Sequence, residues 1–131
     1  LFAIGHMGIP VRNVTRGLGP RDFYCPGSLL NVAIDTSHPL ALGLPREAAV
    51  WFEGGPAFEV DAGSQQRSAA NYRESGVLAS GWLLGEKHLA GKSAVMEVPM
   101  DLGRAVLFGM RPQYRAQSYA TVKMLFNAIL L

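Results

Sequence analysis

Most of the chain alternates between short apolar runs and turn-forming residues, a pattern typical of β-strands, and helical spacing is confined to its two ends. Residues 28–35 (SLLNVAID) predict a first strand and residues 48–52 (AAVWF) a second. The glycine pair of residues 53–56 (EGGP) interrupts the second strand, which resumes over residues 57–60 (AFEV). Paired glycines inside a strand pattern predict a bulge or a tight turn there.

A hairpin is the clearest local element of the sequence. Residues 93–99 (SAVMEVP) and 104–109 (RAVLFG) predict two strands, joined by residues 100–103 (MDLG). Gly103 is expected to be the left-handed residue of this turn, because glycine adopts a positive φ without steric cost.

Two intervening segments differ in polarity. Residues 61–75 are polar and poor in large apolar groups, so they predict a mobile loop. Residues 76–84 (GVLASGWLL) are apolar and predict a buried segment, and residues 85–92 (GEKHLAGK) form a polar excursion before the hairpin.

The two ends of the chain carry the helical signals. Residues 113–131 predict a helix that begins near Gln117 or Ser118. Its apolar residues share one face, which predicts packing against a sheet or a partner. They are Val122, Leu125, Phe126, Ile129 and Leu130. Residues 1–9 resemble the end of a helix stopped by glycine, so sequence upstream of Leu1 is expected.

This order of elements lacks the alternation of strands and helices that a complete doubly wound domain shows. The sequence therefore predicts an α/β chain of an α+β-like kind, a single domain over residues 1–131. We expect a mixed, largely antiparallel sheet with a C-terminal amphipathic helix.

Composition narrows the functional classes. The chain has 131 residues, 49% of them hydrophobic and 17% charged, and the low charge predicts apolar surface that a partner covers. A formal charge of +2 lacks the dense basic stripe of a nucleic-acid binder. No apolar run approaches the roughly 20 residues that cross a bilayer. Arginines cluster near both ends, where solvated or paired side chains are favoured over a phosphate or carboxylate site. They are Arg12, Arg16, Arg21, Arg111 and Arg115.

Catalytic and metal motifs are mostly excluded. Residues 85–93 (GEKHLAGKS) resemble a phosphate-binding loop, but the glycines are one residue too far apart and a strand pattern follows. The three histidines are widely spaced in no zinc-ligand pattern, so no metal site is predicted. Cys25 has no activating sequence context and is expected to be a buried structural thiol, with amidohydrolase-type chemistry as the alternative.

One weak ligand site remains as a candidate. Trp51, Glu53, Phe58 and Glu59 combine aromatic rings with carboxylates, and Trp82 lies elsewhere. Such groups bind sugars or perform acid–base chemistry. Glutamates that alternate on a half-buried strand are the simpler interpretation. No catalytic or cofactor-binding residue is predicted.

Long phrases of the sequence resemble a known family. Residues 80–92 (SGWLLGEKHLAGK) and 107–117 (LFGMRPQYRAQ) resemble the C-terminal end of bacterial zinc carboxypeptidase-like proteins, as do residues 11–45 and 49–60. In those proteins a carboxypeptidase A-like peptidase domain precedes a domain similar to class I glutamine amidotransferases.

The resemblance implies a role beside an enzyme. The family's zinc ligands belong to the peptidase domain, and no H-x-x-E motif occurs here, so no functional residue is carried over. It implies a non-catalytic accessory or interaction domain of a bacterial hydrolase, with zinc only in the parent peptidase domain and that domain as partner. A half-domain of this kind is expected to expose a sheet edge and to form a homodimer through it. Localisation stays open, with export of the parent as one option. The alternative function is a binding module for a small polar ligand or glycan.

Overall fold

Eight antiparallel strands, two α-helices and three 3-10 turns make up the secondary structure of the computed structural model, which describes residues 2–61, 63–116 and 118–131. A short helix, α1 (Phe2–Gly5), comes first. The strands are β1 (Arg12–Asn13), β2 (Ser28–Ile34), β3 (Glu47–Phe52), β4 (Phe58–Glu59), β5 (Arg67–Tyr72), β6 (Leu78–Ser80), β7 (Ser93–Met100) and β8 (Gly103–Phe108). The helix α2 (Tyr119–Leu130) ends the chain, and 3-10 turns cover Pro39–Ala41, Glu86–His88 and Tyr114–Ala116.

All strand pairings join into one sheet. Its order is β1-β4-β7-β5-β2-β3, with β6 also paired to β2 and β8 to β7. Every pairing is antiparallel. The predicted largely antiparallel sheet with a C-terminal helix is therefore confirmed, and the described chain belongs to the α+β class.

The predicted hairpin is confirmed as β7 and β8, with a turn of two residues. Met100 pairs with Gly103, so Gly103 already belongs to β8. The left-handed residue is Asp101, at φ 39°, and the prediction for Gly103 is wrong. Aspartate is among the few residues other than glycine that adopt this conformation readily.

Strand β7 lies at the centre of the molecule and is buried on both faces. Val95 packs into the larger core, which contains Phe52 and Tyr72 with their rings edge to face. Met96 and Val98 face a smaller core with Phe58. This double burial explains why β7 is an almost continuous apolar run rather than an alternating one.

The predicted loop over residues 61–75 is wrong at its centre, because it contains β5. Ala69, Ala70 and Tyr72 are buried, and β5 hydrogen bonds to β2 and β7 on its two sides. Small residues fit this strand because two other strands supply the packing around it. Ala62 lies outside the described residues.

The predicted buried segment over residues 76–84 is also largely exposed. Val77 is buried, whereas Leu78, Trp82 and Leu84 are 37%, 64% and 43% exposed. Strand β6 pairs with only two residues of β2, so its residues do not lie between other strands. Apolar composition alone therefore did not identify burial here.

Helix α2 is shorter than predicted and presents a different face. It begins at Tyr119, after a 3-10 turn in which Arg115 has φ 46°. Ser118 precedes it, as predicted, and donates from Oγ to the Ala49 carbonyl of β3 at 2.7 Å. The other predicted start, Gln117, lies outside the described residues.

The inward side of α2 is formed by Thr121, Met124, Asn127 and Ala128. Thr121 and Met124 are buried, and Asn127 Nδ2 donates to the Leu40 carbonyl at 2.8 Å and to the Leu42 carbonyl at 3.1 Å. These bonds turn α2 so that most of the predicted stripe points to solvent. Of the two predicted packing surfaces, the sheet is therefore wrong for Phe126, Ile129 and Leu130, and a partner stays a prediction.

Candidate functional site

The four predicted ligand-site residues fall into two separate pairs. Trp51 and Glu53 lie at the end of β3, and Phe58 and Glu59 form β4. In the sheet order β2, β5 and β7 stand between these two strands. Phe58 and Glu59 line one cleft, and Trp51 and Glu53 are not among its lining residues.

The first pair is occupied by contacts within the chain. The rings of Trp51 and Tyr114 stack with centroids 4.5 Å apart and planes 1° apart, and Arg115 lies over the Tyr114 ring at 5.4 Å. Gly27 packs so closely on the indole that an added Cβ would lie 2.9 Å from it. Glu53 pairs with Arg111 at 3.0 Å. Stacking on Tyr114 leaves little of the Trp51 ring for a sugar.

The second pair lies in a polar cleft, which we call the β4–β7 cleft. Its volume is about 330 Å³, near the lower end of small-molecule sites. It is lined by Phe58, Glu59, Val60, Ser68, Asn71, Gly91, Lys92 and Ser93. Phe58 is buried in the smaller core, so its ring forms floor rather than a stacking platform.

Glu59 stands between two cations at the side of this cleft. Lys92 Nζ donates to Glu59 Oε1 at 2.5 Å, and Arg12 pairs with Glu59 Oε2 at 3.0 Å. The hydrogen bond from Lys92, followed by its charge, lowers the pKa of the Glu59 carboxyl. Two cations share one carboxylate, so the group carries a net positive charge.

Hydroxyl and amide groups meet in the same cleft because β5 is irregular. Ser68 Oγ lies 2.6 Å from Asn71 Oδ1 and 2.7 Å from Ser93 Oγ. Residues three apart point to opposite faces of a regular strand. The register of β5 shifts on both sides of Ala70, which brings Ser68 and Asn71 together.

A second network, which the sequence analysis did not predict, surrounds the side chain of Glu97 on β7. His38 Nε2 and Glu97 Oε2 are 3.1 Å apart, and Arg104 pairs with Glu97 Oε1 at 3.0 Å. His38 Nδ1 accepts a hydrogen bond from the Leu40 amide at 3.2 Å, so His38 caps the 3-10 turn Pro39–Ala41. Burial, then the charge of Arg67, lowers the pKa of His38. The spacing of the two residues in sequence gave no signal for this pair.

The lone cysteine is buried, as predicted. Cys25 is buried and donates from Sγ to the Phe52 carbonyl at 3.9 Å. Burial raises its pKa, so the thiolate that a nucleophile needs is disfavoured. Amidohydrolase chemistry through Cys25 therefore has no support in this geometry.

No group of three or more His, Cys, Asp or Glu side chains that could hold a metal ion occurs in the parts of the chain that the structure describes. Within those same parts, no helix has the length and apolar content needed to cross a membrane.

The exposed side of α2, together with the residue that follows the helix, carries several large apolar side chains. Tyr119, Phe126, Ile129, Leu130 and Leu131 are each at least 52% exposed, and we call them the α2 outer face. A second cleft joins its end to the β7–β8 hairpin, where Leu102 is fully exposed. Lys123 is the only charged residue of α2.

No protein-family model, no curated protein and no solved structure matches this chain.

Proposed function

We propose that this chain is a non-catalytic accessory domain that docks through the α2 outer face onto the peptidase domain of a zinc carboxypeptidase-like protein. The observation that carries the proposal is the α2 outer face itself. Its apolar side chains point away from the core, while the inward side of the same helix is fully used in packing.

The size of this face suits a protein partner. Five large apolar side chains that are at least half exposed present on the order of 600 Å², the upper limit for patches on ordinary monomers. A stable interface buries about 800 Å² per partner, so this patch could form its centre. Tyr119 and Phe126 are also of the residue class enriched in interface cores.

The chemistry of the face indicates an apolar partner surface. α2 contributes one cation and no anion, so a strongly charged partner would gain little and would lose solvation. Leu102, at the hairpin turn, extends the apolar surface beyond the helix.

The burial and the hydrogen-bond partners of the candidate nucleophiles and bases support the non-catalytic part of the proposal. Cys25 is buried with a raised pKa, and His38 uses Nδ1 to accept a backbone hydrogen bond. The serines of the β4–β7 cleft bond to each other and to Asn71 rather than to a histidine. None of these arrangements is an activated nucleophile.

The peptidase partner rests on the resemblance of residues 80–92 and 107–117. These two phrases cover the segment before β7 and the segment before α2. On this proposal the chain forms the later strands and the last helix of a glutamine amidotransferase-like domain.

The test measures binding to the carboxypeptidase A-like domain encoded in the same reading frame, by calorimetry. The double substitution Phe126→Glu and Ile129→Glu should weaken binding by at least a hundredfold, because two charges would be buried without partners. Leu42→Glu is the control. Leu42 is 71% exposed and lies beside α2, where its carbonyl accepts from Asn127, so it is outside the α2 outer face and affinity should not change.

Three results would refute the proposal. They are a reading frame without a peptidase domain, binding that Leu42→Glu weakens as much as the double substitution, and self-association that the double substitution abolishes. Turnover of carboxypeptidase substrates by this chain with added zinc would remove the non-catalytic part.

A further inference from the structure

The β4–β7 cleft has more unpaired hydrogen-bond donors than unpaired acceptors. Docking through the α2 outer face does not account for this excess. The Ser68 hydroxyl has one proton, and its shortest contact is with Asn71 Oδ1 at 2.6 Å. The Ser93 hydroxyl reaches Ser68 Oγ at 2.7 Å and the Val95 carbonyl at 3.0 Å. Both hydroxyl protons are thus used within the network.

These hydrogen bonds determine which atoms of the Asn71 side chain remain available to bind a ligand. Oδ1 accepts from Ser68, so the amide nitrogen is left as a donor of two protons. No acceptor for that nitrogen is found among residues 2–61, 63–116 and 118–131. Asn71 is half-buried and lines the cleft, so its donors face the cleft space.

The charges at the cleft add to the same excess of donors. Lys92 Nζ has three protons and donates one of them to Glu59 Oε1. The Glu59 carboxylate, the one anion among the described residues that line the cleft, already accepts from Lys92 and pairs with Arg12. Each of these oxygens therefore already has a donor, whereas two protons of Lys92 and two of Asn71 have no partner among residues 2–61, 63–116 and 118–131.

We propose that the β4–β7 cleft binds a small oxyanion, a carboxylate or phosphate ester of metabolite size, between Lys92 and the amide of Asn71. An oxyanion has only acceptors, and hydrogen bonds between charged groups are about twice as strong as neutral ones. A neutral sugar fits less well, because the Phe58 ring lies in the floor and offers no stacking face.

The irregularity of β5 supports a built site rather than a chance hollow. A regular strand would separate Ser68 from Asn71, and β-bulges that redirect side chains are frequent beside functional sites. Ser93 is buried and holds Ser68, which in turn holds Asn71, so the amide is oriented before any ligand arrives. This orientation lowers the entropy lost on binding.

The experiment follows the side-chain amide resonances of Asn71 by nuclear magnetic resonance, at constant ionic strength. The probes are phosphate, acetate and glucose. Saturable shifts with phosphate or acetate, and none with glucose, are expected. A response to acetate alone would assign carboxylates, and a response to phosphate alone would assign phosphate esters.

Two substitutions with opposite predicted signs make the test decisive. Lys92→Gln should raise the dissociation constant about tenfold, as expected for loss of one charge-assisted hydrogen bond. Glu59→Gln should lower it several-fold, because it removes the competing anion while Lys92 stays. An increase in affinity cannot result from a variant that fails to fold.

The matched control is Lys87→Gln, which makes the same charge change at an exposed lysine outside the cleft. Its dissociation constant should stay within about twofold of the parent, since distant exposed charges are screened. The proposal fails if glucose alone shifts the resonances, if no probe does, or if Lys87→Gln and Lys92→Gln behave alike. The α2 substitutions should leave this titration unchanged, which separates it from the docking proposal.

Discussion

Two glutamates, each held between two cationic or titratable partners, lie in very different surroundings. Glu97 on β7 contacts His38 and Arg104 and has a side chain 11% exposed. Glu59 on β4 contacts Arg12 and Lys92 and has a side chain 30% exposed. The partner His38 is fully buried, whereas Arg12 is 73% exposed.

The comparison shows how burial decides what a charged cluster does. Removing one member of a buried cluster leaves another without solvent, which destabilises the fold. Members of an exposed cluster return to water at small cost, so they stay available to a ligand. We therefore expect the Glu97 cluster to stabilise the fold, and the Glu59 cluster is the one that we propose for binding.

The largest expected effect is that of Glu97→Ala. It should lower the free energy of unfolding by about 3 kcal/mol, because the buried His38 Nε2 would lose the carboxylate oxygen 3.1 Å away and the half-exposed Arg104 would lose its ion pair. Urea unfolding followed by circular dichroism measures it. Glu53→Ala, which removes an exposed carboxylate paired with Arg111, is the control. Equal effects of the two substitutions would contradict the role given to burial.

The next largest effect should be a dependence of the free energy of unfolding on pH, caused by the titration of His38. Its pKa is lowered in the folded state, mainly by burial and then by Arg67, while Glu97 and Asp35 oppose this and Arg104 adds to it. Between that lowered pKa and about 6.5 the unfolded chain binds more protons than the folded one. Stability is thus complete above about pH 6.5 and falls on acidification by at most ~1.4 kcal/mol per pH unit.

The His38→Gln variant tests this dependence, since glutamine keeps a polar group at the site but does not titrate. Its unfolding free energy should lose the decline that the parent shows just below pH 6.5. His88→Gln is the matched histidine control and should retain that decline. If the parent and His38→Gln follow the same curve, His38 is not the group responsible.

Elements whose pattern is local could be predicted from the sequence, whereas elements set by distant segments could not. The β7–β8 hairpin was predictable because its apolar run and its turn are local. β5 was not, because its pairing with β2 and β7 is set by distant segments, and Ser68 and Asn71 carry no strand signal. Of the residues that line the β4–β7 cleft, Phe58 and Glu59 were candidates from the sequence, whereas Lys92 and Asn71 depended on the fold.

The orientation of α2 shows the same limit. Helical periodicity identified the apolar residues but not which of them face inward. Asn127 decides this, through its bonds to the Leu40 and Leu42 carbonyls, and a polar residue has no weight in an apolar pattern.

The smallest expected effect on stability is that of Glu59→Gln. The cluster is exposed, so both cations regain water when the carboxylate loses its charge. The melting temperature should stay within the scatter of the parent's, and about 0.5 M NaCl should erase any remaining difference, because salt screens exposed charges. Differential scanning calorimetry at pH 7 measures it. A drop as large as that of Glu97→Ala would mean that β1, β4 and β7 depend on this cluster for their packing, and the contrast between the two glutamates would not hold.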